Sequence, residues 1–250
     1  MRRWLGPALV VLALLGAWEA AARWDVLADA LSIEPFLVPA PSEVAEALWE
    51  DRDLLAENSW VTLQEILLGF LCALVAGIGF AVALHLSPTL RRAFYPLLVA
   101  SQTVPIIVVA PILVVWFGFG IGPKLAIIAL ICFFPITVNS LDGLRSVDPD
   151  AVKMMRTLDA DRWQIFRRVE APTALPHAFS GAKVAVAVAV IGAVFGEWVG
   201  SSEGLGHLIL VSNNSLQTAR IFAAVAVLSS IAICLFAALA LLERRFVRWR

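Results

Sequence analysis

The sequence predicts an all-α membrane protein of six transmembrane helices. Three observations predict it: 60% of residues are apolar, only 16% are charged, and four stretches of spanning length carry no Asp, Glu, Lys or Arg. A soluble domain is about one quarter charged, so 250 residues of this composition have too little polar surface to cover a water-soluble globule. The net charge of −1 supplies no basic footprint for nucleic acid. Cys72, Cys132 and Cys234 each lie alone in an apolar run without CxxC spacing, and read as buried thiols.

The chain is expected to form a single membrane domain over 1–250, and its elements follow in order. A spanning helix needs about 20 mostly apolar residues. Leu5 to Trp18 supplies most of a first span, about 5–23, which reaches full length if Glu19 and Arg23 lie near a membrane face. Arg2 and Arg3, that apolar run and the small residues Ala20 to Ala22 also fit a secretory signal peptide. Segment 24–60 holds Pro35, Pro39 and Pro41. Ser42 then stands as an N-cap ahead of Val44, Ala45, Leu48 and Trp49 at helical spacing, which predicts a short amphipathic helix on the outer surface. The charge-free runs Ile66–Leu84, Pro96–Phe117, Leu125–Leu141 and Ile221–Leu242 place spans at about 61–86, 96–117, 123–143 and 219–242. A weaker run, Val184 to Gly196, is followed by Glu197 and gives a span at about 179–200. Gly118 to Pro123 predicts a tight turn between two helices, because glycine reaches backbone angles closed to other residues.

Orientation follows from where the cations collect. With the N-terminus inside, fifteen Lys and Arg residues fall on the inner side and only Arg23, Arg52, Lys124 and Arg220 on the other. That bias places both termini in the cytoplasm and makes 24–60 periplasmic.

The long inner loop, 144–178, contains a basic amphipathic stretch. Asp161 with Gln164 has the form of a capping box, and Trp163, Phe166 and Val169 recur every three residues, so they share a face while Arg162, Arg167 and Arg168 project elsewhere. This predicts a cytoplasmic peg with an aromatic knob, closed by Pro172 and Pro176. Two uses fit it: lying on anionic headgroups, or docking a protein.

Polar groups within spans are costly and mark pathways, which singles out Gln102, Thr103, Asn139 and Glu197, with Trp198 beside the last. Gln102 and Thr103 precede Pro105, with Pro96 and Pro111 in the same run, and prolines bend helices. The same residues would also serve helix-to-helix hydrogen bonds in a packed bundle. Glu197 would form part of an outer gate, pair with Arg220 or anchor at the interface. His85, His177 and His207 have no carboxylate or cysteine neighbours at ligand spacing, and no metal site is expected.

From Ala151 to Pro176 the spacing resembles the cytoplasmic Glu-Ala-Ala loop of ABC importer permeases. Lys153, Met154 and Met155 stand at the Glu-Ala-Ala positions, Asp159 at the glycine, and Val169 with Pro172 at the closing hydrophobic-x-Leu-Pro. The stretches FLVPAPSEV, LLVASQTVPIIVVAPILVVWFGFG, FFPITVNSLDGLRSVDPD, TLDADRWQIFRRVEAPTALP and GEWVGSSEGLGHLI are similar to permeases of nitrate, sulfonate, taurine and pyrimidine-precursor importers. The resemblance implies a type I permease fold with a cytoplasmic coupling helix, a retained first span and an inner-membrane location. It further implies ABC ATPase subunits, an external solute-binding protein and a second permease copy as partners. Asp159, Asp161, Arg162, Trp163, Phe166 and Arg167 would meet the ATPase; Gln102, Thr103, Asn139, Glu197 and Trp198 would line the passage. No GxxxxGK[ST] phosphate cradle is present, so ATP and magnesium are expected on the partner, and this chain is a transport subunit rather than an enzyme. The competing reading is an ion-coupled carrier that uses Glu19, Glu65 or Glu197, although no inverted repeat is evident. An intramembrane enzyme lacks both a GxSxG serine and paired metal ligands.

Overall fold

The structure is a computed structural model, and it describes residues 2–24, 32 and 34–247. Among them the regular structure is entirely helical. The chain divides into two compact units, residues 1–61 with 203–229, and residues 62–202 with 230–250. Two helices run through both.

The first unit contains α1 (Arg2–Arg23), a single 3₁₀ turn (Pro35–Leu37), α2 (Pro41–Glu50), the start of α3 (Arg52–Leu86), α10 (Leu205–Asn214) and the start of α11 (Thr218–Phe246). Short polar ties hold it. The expected surface helix forms, but Ala40 rather than Ser42 is its N-cap. Ser42 instead donates from its backbone N–H and its hydroxyl to the Glu19 carboxylate, at 3.0 and 2.8 Å, while Pro41 starts the helix without needing a donor. Glu19 also pairs with Arg23 at 2.6 Å. Arg220 grips Asp51, the C-cap of α2, with two bonds of 2.6 and 2.7 Å, so the pairing imagined for it with Glu197 is replaced by one with this carboxylate. Asn58 Oδ1 accepts the Gly204 N–H at 2.8 Å.

The second unit contains the rest of α3, α4 (Pro88–Ser101), α5 (Ile106–Phe117), α6 (Ile121–Arg145), α7 (Pro149–Thr157), α8 (Arg162–Ile165), a wide π-type turn (Phe166–Glu170), α9 (Ala171–Gly200) and the remainder of α11. Helix α6 forms its centre. Ile128, Cys132 and Ile136 are fully buried against Ile66, Phe70 and Ala73 of α3 and against Ala182, Ala185, Ala189 and Ala193 of α9. Small residues allow the close approach that packing in a bilayer rewards. At Gly181 a Cβ would lie 2.7 Å from the Pro135 carbonyl oxygen, which is backbone and cannot swing aside. Gly181→Ala should therefore force α9 off α6 and cost about 1–3 kcal/mol, read as a lowered Tm of the detergent-solubilised chain. Only Cys132 of the three thiols is buried; Cys72 and Cys234 face outward from spanning helices, where an apolar solvent suits a thiol as well as a core does.

Among the described residues four helical stretches are long and apolar enough to cross a membrane: α3, α6, Arg162–Gly200 and α11. A fifth is possible only as a broken one. The run expected to span at 96–117 as one proline-bent helix is two helices, α4 and α5, bent by 101° at a gap of four residues. Pro105 is the cause, since proline removes a helical donor and pushes its predecessor out of the helical region. Pro96 and Pro111 stay inside their helices. The turn from α5 to α6 forms as expected, with φ +76° at Gly118 and +131° at Gly120.

Candidate functional site

The arm between α6 and α9 departs from the predicted peg in one respect. Pro172 and Pro176 do not close a short helix; the chain is helical from Arg162 to Gly200 and enters the span directly. Pro172 follows the wide turn, where the Ala171 N–H already bonds five residues back to Phe166 O, so proline interrupts a register that has shifted. The free-standing helix is α7, which the sequence reading left unassigned. Asp148 caps it by accepting the Asp150 N–H at 2.9 Å, and it buries none of its residues.

Asp159 joins the two helices. Its φ is +60°, the left-handed region that glycine adopts freely and aspartate tolerates better than most side chains. This accounts for an aspartate at the position where the resembled loop has glycine. Asp159→Gly should leave the fold intact, whereas Asp159→Val should cost about 1–2 kcal/mol through strain at this turn. Thermal unfolding of the two variants side by side checks the difference.

Asp161 then starts α8 as its cap. Its carboxylate accepts the Gln164 N–H at 2.7 Å, and Gln164 Oε1 accepts the Asp161 N–H at 3.2 Å, so the capping box forms as its spacing predicts. Within this turn Ile165 points inward at 2% exposure, while Trp163 stands out at 64%. The Trp163 and Phe166 rings stack 5.5 Å apart. Arg167 and Arg168 are exposed around them. Met154 and Leu158, also exposed, add an apolar surface on the α7 side that the three-residue spacing alone could not reveal.

Arg162 behaves differently from the other proposed contact residues. Its guanidinium bonds the buried Glu170 carboxylate at 2.6 Å and lies 3.2 Å from His85 Nε2. His85, at the end of α3, is itself 2.9 Å from the other Glu170 oxygen. The sequence offers His85 no carboxylate at ligand spacing, and the neighbour it has is supplied by the fold. The partner stands 85 residues away in sequence, beyond anything spacing can show.

The proposed passage residues fall in three places. Gln102 and Thr103 sit exposed in the break between α4 and α5, with the Thr103 hydroxyl donating to Ala100 O at 2.8 Å. Asn139 donates to Pro135 O at 2.8 Å, a bond within its own helix. Glu197 is wholly buried and accepts from Thr62 at 2.6 Å; Trp198, 41% exposed, meets the Phe195 ring edge-on at 5.6 Å.

A second buried set escaped the sequence reading. Lys124 Nζ donates to Glu65 Oε1 and, at 2.9 Å, to Ser201 Oγ; Glu65 is 2% exposed and Lys124 6%. The sequence places Lys124 among the four cations of the minority side and offers Glu65 only to an ion-coupled carrier, with no motif to pair them. Two opposite charges at the leading ends of the second and fourth predicted spans were the available signal. The carboxylates of the ion-coupled reading are therefore all engaged: Glu19 by Ser42 and Arg23, Glu65 by Lys124, and Glu197 by Thr62.

The profile of the family described as "binding-protein-dependent transport system inner membrane component" matches residues 69–248. The formylaminopyrimidine transport permease protein ThiX of Halalkalibacterium halodurans is 37% identical over 247 residues, covering 98% of this chain and 96% of the relative. The riboflavin transport system permease protein RibX of Chloroflexus aurantiacus is 38% identical over 248 residues, covering 98% and 90%. Among solved structures, an inward-facing form of the MetNI methionine ABC transporter superposes with a TM-score of 0.65 at 20% identity, over 80% of this chain and 97% of that one. That likeness is one of fold.

Proposed function

The chain belongs to the family of inner-membrane components of binding-protein-dependent transport systems, and from that premise we propose that its cytoplasmic arm docks a partner ATPase and transmits that partner's motion to the spans. The chain is a multi-pass membrane protein and the permease subunit of an ABC importer; the ion-coupled carrier gives way to this reading. One observation carries the proposal. A stacked aromatic pair, the outward Trp163 on Phe166, sits on a side-chain-capped turn whose helix runs on through the wide turn into a span. Aromatic anchors ringed by arginines are the composition that dominates protein interfaces, and a helix that runs on into a span gives a push on them a route into the bundle.

In this reading Asp159 and Asp161 shape the arm, Trp163, Phe166 and Arg167 with Met154 and Leu158 form its contact face, and Arg162 braces it from behind. In the proposed six-span topology the α4–α5 pair stands as the fifth beside α3, α6, Arg162–Gly200 and α11, and the sixth is α1, taken as a span on its 22-residue length and the charge-free run from Leu5 to Trp18. The fifteen-to-four cation bias supports cytoplasmic termini. Non-helical backbone at membrane depth is tolerated only inside protein or beside a water-filled cavity, so the Gln102–Thr103 break belongs to the passage or to the surface shared with a second copy. ATP and magnesium reside on the partner. The cargo is a small organic solute handed over by an external binding protein. The heterocycles named for two relatives, a formylaminopyrimidine and riboflavin, are its first candidates.

The test is reconstitution. Vesicles carrying this chain with its ATPase should hydrolyse ATP faster when the loaded binding protein is added. Uptake that follows a pH gradient without ATP would overturn the proposal.

A further inference from the structure

Three groups meet where the arm joins the spans. Glu170 ends the wide turn and is buried, at 4% exposure. One of its oxygens takes Arg162 Nη1 at 2.6 Å from the first residue of α8, and the other lies 2.9 Å from His85 Nε2 at the close of α3. Arg162 Nη2 is 3.2 Å from the same imidazole nitrogen. Among the described residues the remaining ring nitrogen of His85 is buried without a partner, and its bonded nitrogen faces Glu170.

The placement matters because of what lies between. The wide turn Phe166–Glu170 abandons the regular bonding register, and such turns are points where a helix bends. The Arg162–Glu170 bond reaches across that turn, tying its two ends, and His85 ties the same carboxylate to a different helix. A buried carboxylate with two donors resists leaving its site, since either lost bond leaves a buried charge short of partners.

We infer that Glu170 is a positioning residue: through Arg162 and His85 it clamps the docking turn to the end of α3, so that a push on Trp163 moves α3 and α9 together instead of flexing the turn. The inference rests on the docking reading above and adds to it the route by which motion enters the bundle. The exposed aromatic face makes contact, and the buried cluster behind it makes the contact stiff.

The experiment uses the complex with its ATPase in vesicles. Val104→Cys, in the exposed break between α4 and α5, is the reporter, in a chain whose Cys72, Cys132 and Cys234 are replaced by alanine. The rate of N-ethylmaleimide labelling is measured with and without ATP plus orthovanadate, so no cargo is needed. With the clamp intact, nucleotide trapping should change the labelling rate. Glu170→Gln and His85→Ala should each abolish that change while the ATPase still co-purifies and hydrolyses ATP, and the double variant should do no more than either single one. A change that persists in either variant overturns the clamp. Failure of both variants to insert also overturns it, because the cluster would then be a folding element. If the intact chain shows no nucleotide-dependent change although the ATPase is bound, docking does not drive the spans, and the proposed function falls together with the clamp.

Discussion

Trp163→Asp is expected to detach the ATPase from the membrane while the permease still inserts. Trp163 is 64% exposed and its ring rests on Phe166, so its removal takes little from the internal packing of this chain. The turn that carries it is held by other means, the Asp161–Gln164 capping box and the inward Ile165. An aromatic anchor at an interface contributes about 2–4 kcal/mol on truncation, and aspartate adds the cost of burying a carboxylate in the same pocket. A loss of about 2 kcal/mol weakens binding about 30-fold. Co-purification of the ATPase with affinity-tagged permease reads this directly. Arg167→Ala, at the rim of the same face, should weaken binding far less, because exposed charges contribute little. Unchanged recovery of the ATPase with Trp163→Asp would remove the docking role of the arm.

Lys124→Leu is expected to have the largest effect on folding. Lys124 is the cation bonded to the buried Glu65, and it also donates to Ser201. Removing it leaves the Glu65 carboxylate, 2% exposed, without its cation, and breaking one side of a buried pair costs about 3–5 kcal/mol. The double variant Lys124→Leu with Glu65→Leu removes both charges and should recover most of that loss, since apolar replacements of a buried pair are often neutral or better. Yield in the membrane and Tm in detergent report both. Equal losses in the single and double variants would show that Ser201, rather than charge pairing, governs the site.

The spans were legible because a bilayer imposes a length and an apolar composition that a one-dimensional count detects, and the capping box was legible because its two residues are three apart. The break at Pro105 was legible as a bend but not as an end. The apolar run continues through it, and only packing determines whether a proline kinks a helix or splits it. The peg was misjudged for the converse reason: Pro172 looked like a terminator, yet a wide turn just before it lets the helix pass. Asp159 carried a local signal, since a short polar residue at a glycine position indicates a left-handed turn. The Lys124–Glu65, Thr62–Glu197 and Arg162–Glu170–His85 contacts carried almost none, because most of their partners lie 59 to 135 residues apart.

Composition by itself determined that this chain lives in a membrane and where most of its long apolar helices run, because insertion is governed by properties each segment carries alone. The tertiary structure decided which of the buried charges neutralise one another, how sharply the fourth and fifth helices turn, and what the aromatic arm is braced against. Those outcomes depend on distances between segments remote in the chain. A buried ion pair is stable only at the short range that folding creates, so no single segment can announce it.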